Sequence, residues 1–311
     1  MSNFSVEQLE REDGSSVAVY AWPPASQTIK AAIQLSHGLA EHAGRYDRLA
    51  QALTHAGYVV FASDHRGHGL TARTPADYGF LADEAGFQRV IDDLYAVNRR
   101  IAALHPQLPR VLFAHSFGSF AAQHYFGRYG DSLAAAVLSG TDFGTAKLLR
   151  IALGLVAIER RRLGPRKCST LLQKLTFGSY NDAFKPVRTE YDWLSRDTAE
   201  VDKYLADPMC GFPATTQTWQ DLIRGLVQSE DPALLARIPK RLPIYMFAGS
   251  LDPVGHAGNG PRALAKAYAR AGLSQVTLKL YPGGRHEMIN EVNRDEVTSD
   301  LIAWLDARFT R

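Results

Sequence analysis

The sequence predicts an α/β fold, in which a mostly parallel sheet flanked by helices carries a helical insertion. Five short apolar runs are each followed by a loop that contains glycine, and they lie at residues 31–36, 111–113, 134–139, 244–248 and 276–281. Residues 142–235 lack strand alternation and show helical spacing instead. The 311 residues, 46% of them hydrophobic, are enough to bury one large core.

A serine stands at the predicted turn between a strand and a helix. The run 111–113 leads into Ala114-His115-Ser116-Phe117-Gly118, and residues 119–126 are typical of a helix. This is the layout of a nucleophile elbow, which exposes a serine hydroxyl at the edge of the sheet. Ala114 stands where glycine is usual, a difference of one methyl group. A loop serine before a helix by chance is the alternative, but the flanking strand and helix favour Ser116 as a nucleophile.

A serine nucleophile needs a histidine base and a carboxylate that orients the histidine. Asp252 follows the predicted strand 244–248, and His286 follows the strand 276–281. The three side chains therefore occur in the order serine, aspartate, histidine, each beyond the carboxyl end of a strand. The sequence predicts a catalytic triad of Ser116, Asp252 and His286.

Other residues offer alternatives to this triad. Asp142 follows the predicted strand 134–139 and is a second candidate for the acid. His37, His65 and His68 lie in glycine-containing loops near the same sheet edge. A metal site there is the less favoured interpretation, because no cysteine or carboxylate falls at ligand spacing beside them. We therefore expect structural or pocket-lining histidines and no metal.

A loop after the first predicted strand is expected to complete an oxyanion hole. Gly38 follows the strand 31–36 and allows the backbone to approach a reacting carbonyl group. The helix after Ser116 directs free backbone N–H groups toward the same space. We predict that the N–H groups of Leu39 and Phe117 are the two donors.

Three sequence motifs carry a family resemblance. They are His37-Gly-Leu-Ala-Glu-His-Ala-Gly-Arg-Tyr46, Asp64-His-Arg-Gly-His-Gly69 and Ala114-His-Ser-Phe-Gly118. Together with the loops of Asp252 and His286, the sequence resembles the monoacylglycerol lipase and lysophospholipase branch of the α/β-hydrolases, which is often grouped with serine aminopeptidases. The first motif is the specific part, and the resemblance covers essentially the whole catalytic region. It implies an α/β-hydrolase fold.

The resemblance also implies roles in substrate binding. In monoacylglycerol lipases, the glutamate and arginine of the first motif lie near the glycerol head group, which assigns this role to Glu41 and Arg45, beside Gly38. Those enzymes typically have a second histidine three residues after the catalytic one, and here that residue is Ile289. Asn290 and Glu291 are the neighbouring polar residues that could replace it.

The insertion is predicted to form a lid. We expect a catalytic domain of residues 1–141 and 236–311 and a helical lid of residues 142–235. The plausible helices span residues 147–160, 169–177, 200–205 and 218–227. The first contains an apolar run that is too short to cross a bilayer. Its spacing places Leu148, Ile151, Leu155 and Ile158 on one face.

This face of the first lid helix has two interpretations. It either packs on the core or binds an acyl chain, in which case the basic end Arg160–Arg162 touches anionic lipid. The second interpretation makes Ile151 and Leu155 substrate-binding residues and predicts peripheral membrane contact through the lid.

These expectations define a function. We expect hydrolysis of lipid-like monoesters, monoacylglycerols or lysophospholipids, through an acyl-serine intermediate and without a cofactor. An aminopeptidase on the same triad is an alternative, for which Glu41, Glu190 and Asp192 offer carboxylates to a substrate amine. A catalytically inactive binding protein is a second alternative.

Charge and cysteine content indicate the setting of this chemistry. Thirty-five basic and 32 acidic residues give a net charge of +3 and are mostly dispersed, so a small lipid or ester substrate is expected rather than nucleic acid. Cys168 and Cys210 have no metal or redox spacing and are expected to be reduced thiols. Residues 1–5 lack signal-peptide features, which predicts a cytoplasmic protein. The sequence does not specify an oligomeric state.

Overall fold

One sheet of eight strands forms the centre of the computed structural model, which describes residues 4–26 and 28–310. The strands are Ser5–Glu10 (β1), Ser16–Trp22 (β2), Ala31–Ser36 (β3), Tyr58–Ser63 (β4), Arg110–His115 (β5), Ala135–Ser139 (β6), Ile244–Gly249 (β7) and Val276–Tyr281 (β8). Their order across the sheet is β1-β2-β4-β3-β5-β6-β7-β8. β2 pairs antiparallel with β1 and β4. From β4 onward in this order, all neighbouring strands are parallel. The predicted mostly parallel α/β sheet is confirmed.

The central strands are buried on both faces. All residues of β3, β4, β6 and β7 are buried. Parallel strands covered by helices on both sides have continuous apolar runs of this kind, which is why the sequence identified β3, β5, β6 and β7. The edge strand β1 is mostly exposed and carries no such run.

The described residues also form ten α-helices. They are Asp47–His55 (α1), Gly86–Leu104 (α2), Phe117–Tyr129 (α3), Ala146–Leu163 (α4), Thr170–Phe177 (α5), Thr198–Ala206 (α6), Thr216–Ser229 (α7), Pro232–Arg237 (α8), Asn259–Arg270 (α9) and Arg294–Phe309 (α10). Successive residues of β5 point to opposite faces of the sheet. Leu112 packs in a core with α2, α3, α7 and α9, and Phe113 packs in a second core with α1 and α10.

Residues 140–243 connect β6 to β7, and we call them the helical segment. The four helices predicted here are present as α4, α5, α6 and α7. The side chains of Ser169, Asp197, Thr215 and Asp231 cap the N-termini of α5 to α8. α7 packs in the same core as α2 and α3. The helical segment therefore contributes one helix to the layer that covers the sheet.

Two further expectations concern membranes and thiols. No helix in residues 4–26 and 28–310 is long and apolar enough to span a membrane. Cys168 and Cys210 are both free cysteines. Residues 1–3, part of the segment that lacks signal-peptide features, lie outside the described residues.

Candidate active site

Ser116 occupies a strained turn between β5 and α3. Its backbone has φ +49° and ψ −120°, a region that residues with a Cβ atom rarely adopt. The Ser116 N–H donates to the Ser139 carbonyl at 2.9 Å, and the N–H of Ser119 donates to the Ser116 carbonyl at 2.8 Å. A Cβ atom at Gly118 would lie 2.6 Å from the carbonyl oxygen of His37. Only glycine fits where α3 crosses the neighbouring loop, as an elbow requires.

His286 pairs with Asp252 at the end of two adjacent strands. The Nδ1 atom of His286 lies 2.9 and 3.0 Å from the two carboxylate oxygens of Asp252, and both side chains are buried. Burial favours the neutral imidazole, but the charge of Asp252 and its hydrogen bond outweigh burial and raise the pKa of His286. His286 and Ser116 line the same cavity. The alternative acid, Asp142, lies 3.6 Å from Nε2 of His256 instead.

The loop after β3 presents a free backbone donor beside Ser116. The Gly38 N–H donates to Glu41 Oε1 at 2.6 Å, which leaves the next N–H group, that of Leu39, at the turn. Among the described residues, no acceptor takes a hydrogen bond from the N–H groups of Leu39 or Phe117. Both residues line the cavity with Ser116. The two N–H groups are therefore available to stabilise an oxyanion.

Glu41 shapes this loop rather than facing the substrate freely. Its carboxylate accepts hydrogen bonds from Gly38 N, from the Tyr46 hydroxyl at 2.9 Å and from Arg45. Glu41 lines the cavity but is buried with its oxygens occupied. The structure thus brings Gly38 and Glu41 to the cavity wall, with the carboxylate holding the turn.

The structure does not bring Arg45, a predicted substrate-binding residue, to the cavity wall. Its guanidinium donates to both oxygens of Glu287 at 2.7 Å and to Glu41, and its Cζ lies 4.8 Å from the ring centre of Tyr204. Arg45 does not line the cavity, because these two carboxylates take up its donors. Burial opposes the charge of Glu287, yet Arg45 lowers the pKa of this carboxyl to about 2. No sequence motif identified Glu287, although it directly follows His286.

The three loop histidines form a buried stack under the oxyanion loop. The ring centres of His37 and His65 are 4.1 Å apart, and those of His37 and His68 are 5.3 Å apart. Nδ1 of His37 lies 2.7 Å from the Gly38 carbonyl, and its Nε2 accepts from the His65 N–H at 2.9 Å. Burial lowers the pKa of all three imidazoles. With both ring nitrogens engaged by the backbone, His37 is suited to shaping the loop.

A cavity of about 530 Å³ opens in front of Ser116. Its lining is mainly apolar and comes largely from the helical segment, α7 included, and from the start of α3. Phe120, Leu155, Phe177, Leu222 and Ile223 are among the lining side chains. Such a cavity can enclose an apolar chain that ends at the serine.

The predicted face of α4 is only partly correct. Leu148 and Leu155 line the cavity, but Ile151 and Ile158 do not, and Ile151 is 77% exposed. Leu149, Ala152 and Val156 line it instead. These residues recur at helical spacing one position further along, so the inward face is rotated by about one residue, roughly 100°. Ile151 was assigned wrongly because apolar residues surround much of this helix.

Residues 289–291, beyond His286, also lie away from the cavity. Ile289 is buried in the core that contains α10. Asn290 donates to Glu287 at 2.8 Å, and Glu291 pairs with Arg196 at 2.9 Å. None of the three lines the cavity, so Asn290 and Glu291 do not replace the histidine of the resemblance.

Sequence analysis missed an aromatic wall next to His286. The ring centre of Trp193 lies 5.1 Å from that of His286, and Tyr180 packs on Trp193 at 4.8 Å. The backbone N–H of His286 also donates to the backbone carbonyl of Trp193 at 3.4 Å. No sequence motif predicts these residues, because Trp193 belongs to a short 3-10 helix that is far in sequence from Ser116, Asp252 and His286.

Known proteins resemble this chain along nearly its whole length. The family model described as "Serine aminopeptidase, S33" matches residues 27–293. A monoacylglycerol lipase of Mycolicibacterium smegmatis is 31% identical over 293 residues, which cover 94% of this chain and 93% of that protein. A monoglyceride lipase of Rattus norvegicus is 27% identical and covers 94% of this chain and 86% of its own length. A carboxyl esterase from Bacillus coagulans, solved in complex with glycerol, superposes with a TM-score of 0.89 at 27% identity, over 100% of both chains.

Proposed function

Because this chain belongs to the serine aminopeptidase S33 family and is a serine hydrolase, we propose that it hydrolyses lipid-like monoesters through an acyl intermediate on Ser116. The observation that carries the proposal is the strained Ser116, which lines the same mainly apolar cavity as His286. The similarity to monoacylglycerol lipases supports monoacylglycerols or lysophospholipids as substrates.

The proposed reaction proceeds in two halves. Ser116 Oγ attacks the ester carbonyl carbon while His286 accepts the serine proton, and the N–H groups of Leu39 and Phe117 bind the oxyanion. The bond to the alcohol oxygen then breaks, and His286 gives its proton to the leaving alcohol. Water attacks the acyl-serine with His286 again as base, and the fatty acid and free serine result. Asp252 holds the imidazole in the required tautomer throughout, and no cofactor is needed.

The cavity lining supports a substrate whose ester group carries an acyl chain. Leu155, Phe177, Leu222 and Ile223 offer an apolar surface. Each methylene group moved from water into such a surface contributes about 0.8 kcal/mol. Medium or long acyl chains should therefore be preferred over acetyl groups until the cavity is full.

The helical segment is proposed to act as a lid that contacts lipid. Its helices α4 and α5 carry exposed apolar side chains that do not line the cavity, namely Ile151, Ile158 and Leu171. α4 ends in the three basic residues 160–162. An apolar surface beside a basic end suits shallow contact with an anionic lipid surface.

The three carboxylates that the sequence offered for an aminopeptidase, Glu41, Glu190 and Asp192, are not free at the cavity. Glu41 is occupied by its three donors, and Asp192 accepts from the Arg188 N–H at 2.6 Å. Neither Glu190 nor Asp192 lines the cavity. A substrate ammonium group would therefore find no partner at these positions.

Two measurements test the proposal. A fluorophosphonate probe should label the wild-type chain, and Ser116→Ala should abolish the labelling and lower ester turnover on the order of 10³-fold or more. Turnover should then be compared for monooctanoylglycerol, a lysophospholipid and an aminoacyl-naphthylamide. Hydrolysis of the naphthylamide without ester hydrolysis would favour the aminopeptidase, and an unlabelled wild type would favour a binding protein.

A further inference from the structure

The loop that carries His286 is attached to the helical segment by backbone hydrogen bonds. This loop spans residues 282–293 between β8 and α10, and we call it the His286 loop. The backbone N–H of His286 donates to the carbonyl of Trp193 at 3.4 Å, and that of Glu287 donates to the carbonyl of Leu194 at 2.8 Å. Two successive residues of the helical segment therefore hold two successive residues of the His286 loop.

The side chain of Glu291 joins the same two parts of the chain. Its carboxylate is completely buried and does not line the cavity. Oε1 accepts from the backbone N–H of Arg285, the residue directly before His286, at 2.9 Å, and from the backbone N–H of Arg196 at 3.2 Å. Oε2 accepts from Arg196 Nε and from the backbone N–H of Val292, both at 2.9 Å. One carboxylate thus connects the neighbour of His286 to the helical segment.

The contacts of Glu291 require two acceptor oxygens. Each oxygen takes two hydrogen bonds, so a glutamine at this position would direct its NH2 group at two N–H donors. Arg196 is the one cation that pairs with this carboxylate among residues 4–26 and 28–310. Because buried donors without an acceptor are costly, we expect the His286 loop to shift when the carboxylate is removed.

The imidazole of His286 tolerates little displacement, because it works in two directions at once. Nδ1 lies 2.9 and 3.0 Å from the two carboxylate oxygens of Asp252. In the proposed reaction, Nε2 takes the proton of Ser116. A shift of the His286 loop moves both nitrogens, and a misplacement of about 1 Å can lower a rate about 10²-fold.

We propose that Glu291 is a positioning residue for His286, because its carboxylate fixes the His286 loop to the helical segment and so holds the imidazole between Asp252 and Ser116. The inference rests on the proposed role of His286 as the base. Glu291 acts through the backbone of the loop and not through contact with substrate. Arg196 supplies two of its four donors, so the helical segment takes part in holding the base as well as in lining the cavity.

Glu291→Gln tests the positioning role. The assay is turnover of p-nitrophenyl octanoate, expressed per active site counted by complete fluorophosphonate labelling. We expect kcat to fall about tenfold or more and KM to stay within about twofold, because the acyl cavity is unchanged. The acidic side of the kcat/KM profile should also move to lower pH, because a looser contact with Asp252 raises the pKa of His286 less. A loss of stability alone moves neither quantity.

Asp93→Asn is the matched control. Asp93 is also a buried carboxylate, and it accepts hydrogen bonds from Arg11 and Arg66. It lies on α2, and these two partners belong neither to the His286 loop nor to the helical segment. Asp93→Asn should lower the Tm but keep kcat within about twofold of wild type and leave the pH profile unmoved.

Arg196→Ala is the second variant if Glu291→Gln does not fold. The Arg196 side chain is 33% exposed, so its removal disturbs packing less than a change at Glu291 does. It nevertheless removes the cation that pairs with the buried carboxylate. The same fall in kcat and the same shift of the pH profile are expected at smaller size, and wild-type values of both in Arg196→Ala would overturn the proposal.

The outcomes separate this inference from the proposed function. If the wild type hydrolyses the ester and Glu291→Gln keeps the wild-type kcat and pH profile, the positioning role is refuted while ester hydrolysis stands. Equal losses of kcat in Glu291→Gln and Asp93→Asn would trace the loss to lower stability and would also refute it. If the wild type hydrolyses no ester, the role of His286 as base fails, and the positioning role fails with it.

Discussion

Replacement of Arg45 by alanine should destabilise the fold strongly. The guanidinium bridges two buried carboxylates, those of Glu41 and Glu287, and no other cation pairs with either among the described residues. Breaking a buried pair by removal of one partner costs about 3–5 kcal/mol, since a charge stays buried without compensation. For a chain of 311 residues, that loss lowers the Tm by roughly 5–8 °C. Arg166→Ala is the control, because the Arg166 pair with Asp83 is largely exposed and contributes about 1 kcal/mol or less.

The same substitution should impair all ester substrates alike. Glu41 fixes the turn that presents the Leu39 N–H, and loss of one oxyanion donor lowers kcat about 10²–10³-fold. Differential scanning calorimetry and parallel assays with p-nitrophenyl octanoate and monooctanoylglycerol measure both effects. If Arg45→Ala keeps the wild-type Tm and loses activity only toward monooctanoylglycerol, Arg45 contacts the head group and our reasoning is wrong.

Three further predictions concern protonation and the cavity wall. Because Asp252 raises the pKa of His286, kcat/KM should fall as the pH drops through a value above 6.5. Asp252→Asn should shift this acidic side of the pH profile to lower pH and lower the rate on the order of 10³-fold or more. An acidic side that does not move in Asp252→Asn contradicts the assignment of Asp252. The pKa of Glu287 is lowered from 4.5 to about 2, so its stabilisation is complete above pH 4.5 and disappears as the pH falls toward 2; acid unfolding that is unchanged in Glu287→Gln argues against this. Leu155→Ser should reduce the preference for octanoyl over acetyl esters by about tenfold, and Ile151→Ser should leave this preference unchanged. Equal effects of the two substitutions would contradict the placement of Leu155 inside the cavity and Ile151 outside it.

The parts of the molecule that sequence predicted are those with local signals. Ser116 and Asp252 each follow a buried strand, His286 follows the partly exposed edge strand β8, and the parallel sheet brings the ends of these strands to one edge. The buried ion pair of Arg45 could not be predicted, because its partner Glu287 is 242 residues away and carries no local signal. The rotation of a helix depends on its packing, so apolar spacing alone could not orient α4. The lid boundaries at residues 142 and 235 and the cytoplasmic location stay predictions.

The carbonyl of Ala40 ties substrate access to the catalytic geometry. Ala40 has φ +58°, and its oxygen accepts from the Tyr204 hydroxyl at 2.9 Å and from the Gly211 N–H at 3.0 Å, both in the helical segment. A rigid swing of the whole segment away from the sheet would break both bonds and release the turn that carries Leu39. If the helical segment opens as a lid, we therefore expect the movement to be confined to α4 and α5. Hydrogen exchange should accordingly be faster in α4 and α5 than in residues 204–211, and the opposite order would refute this hinge.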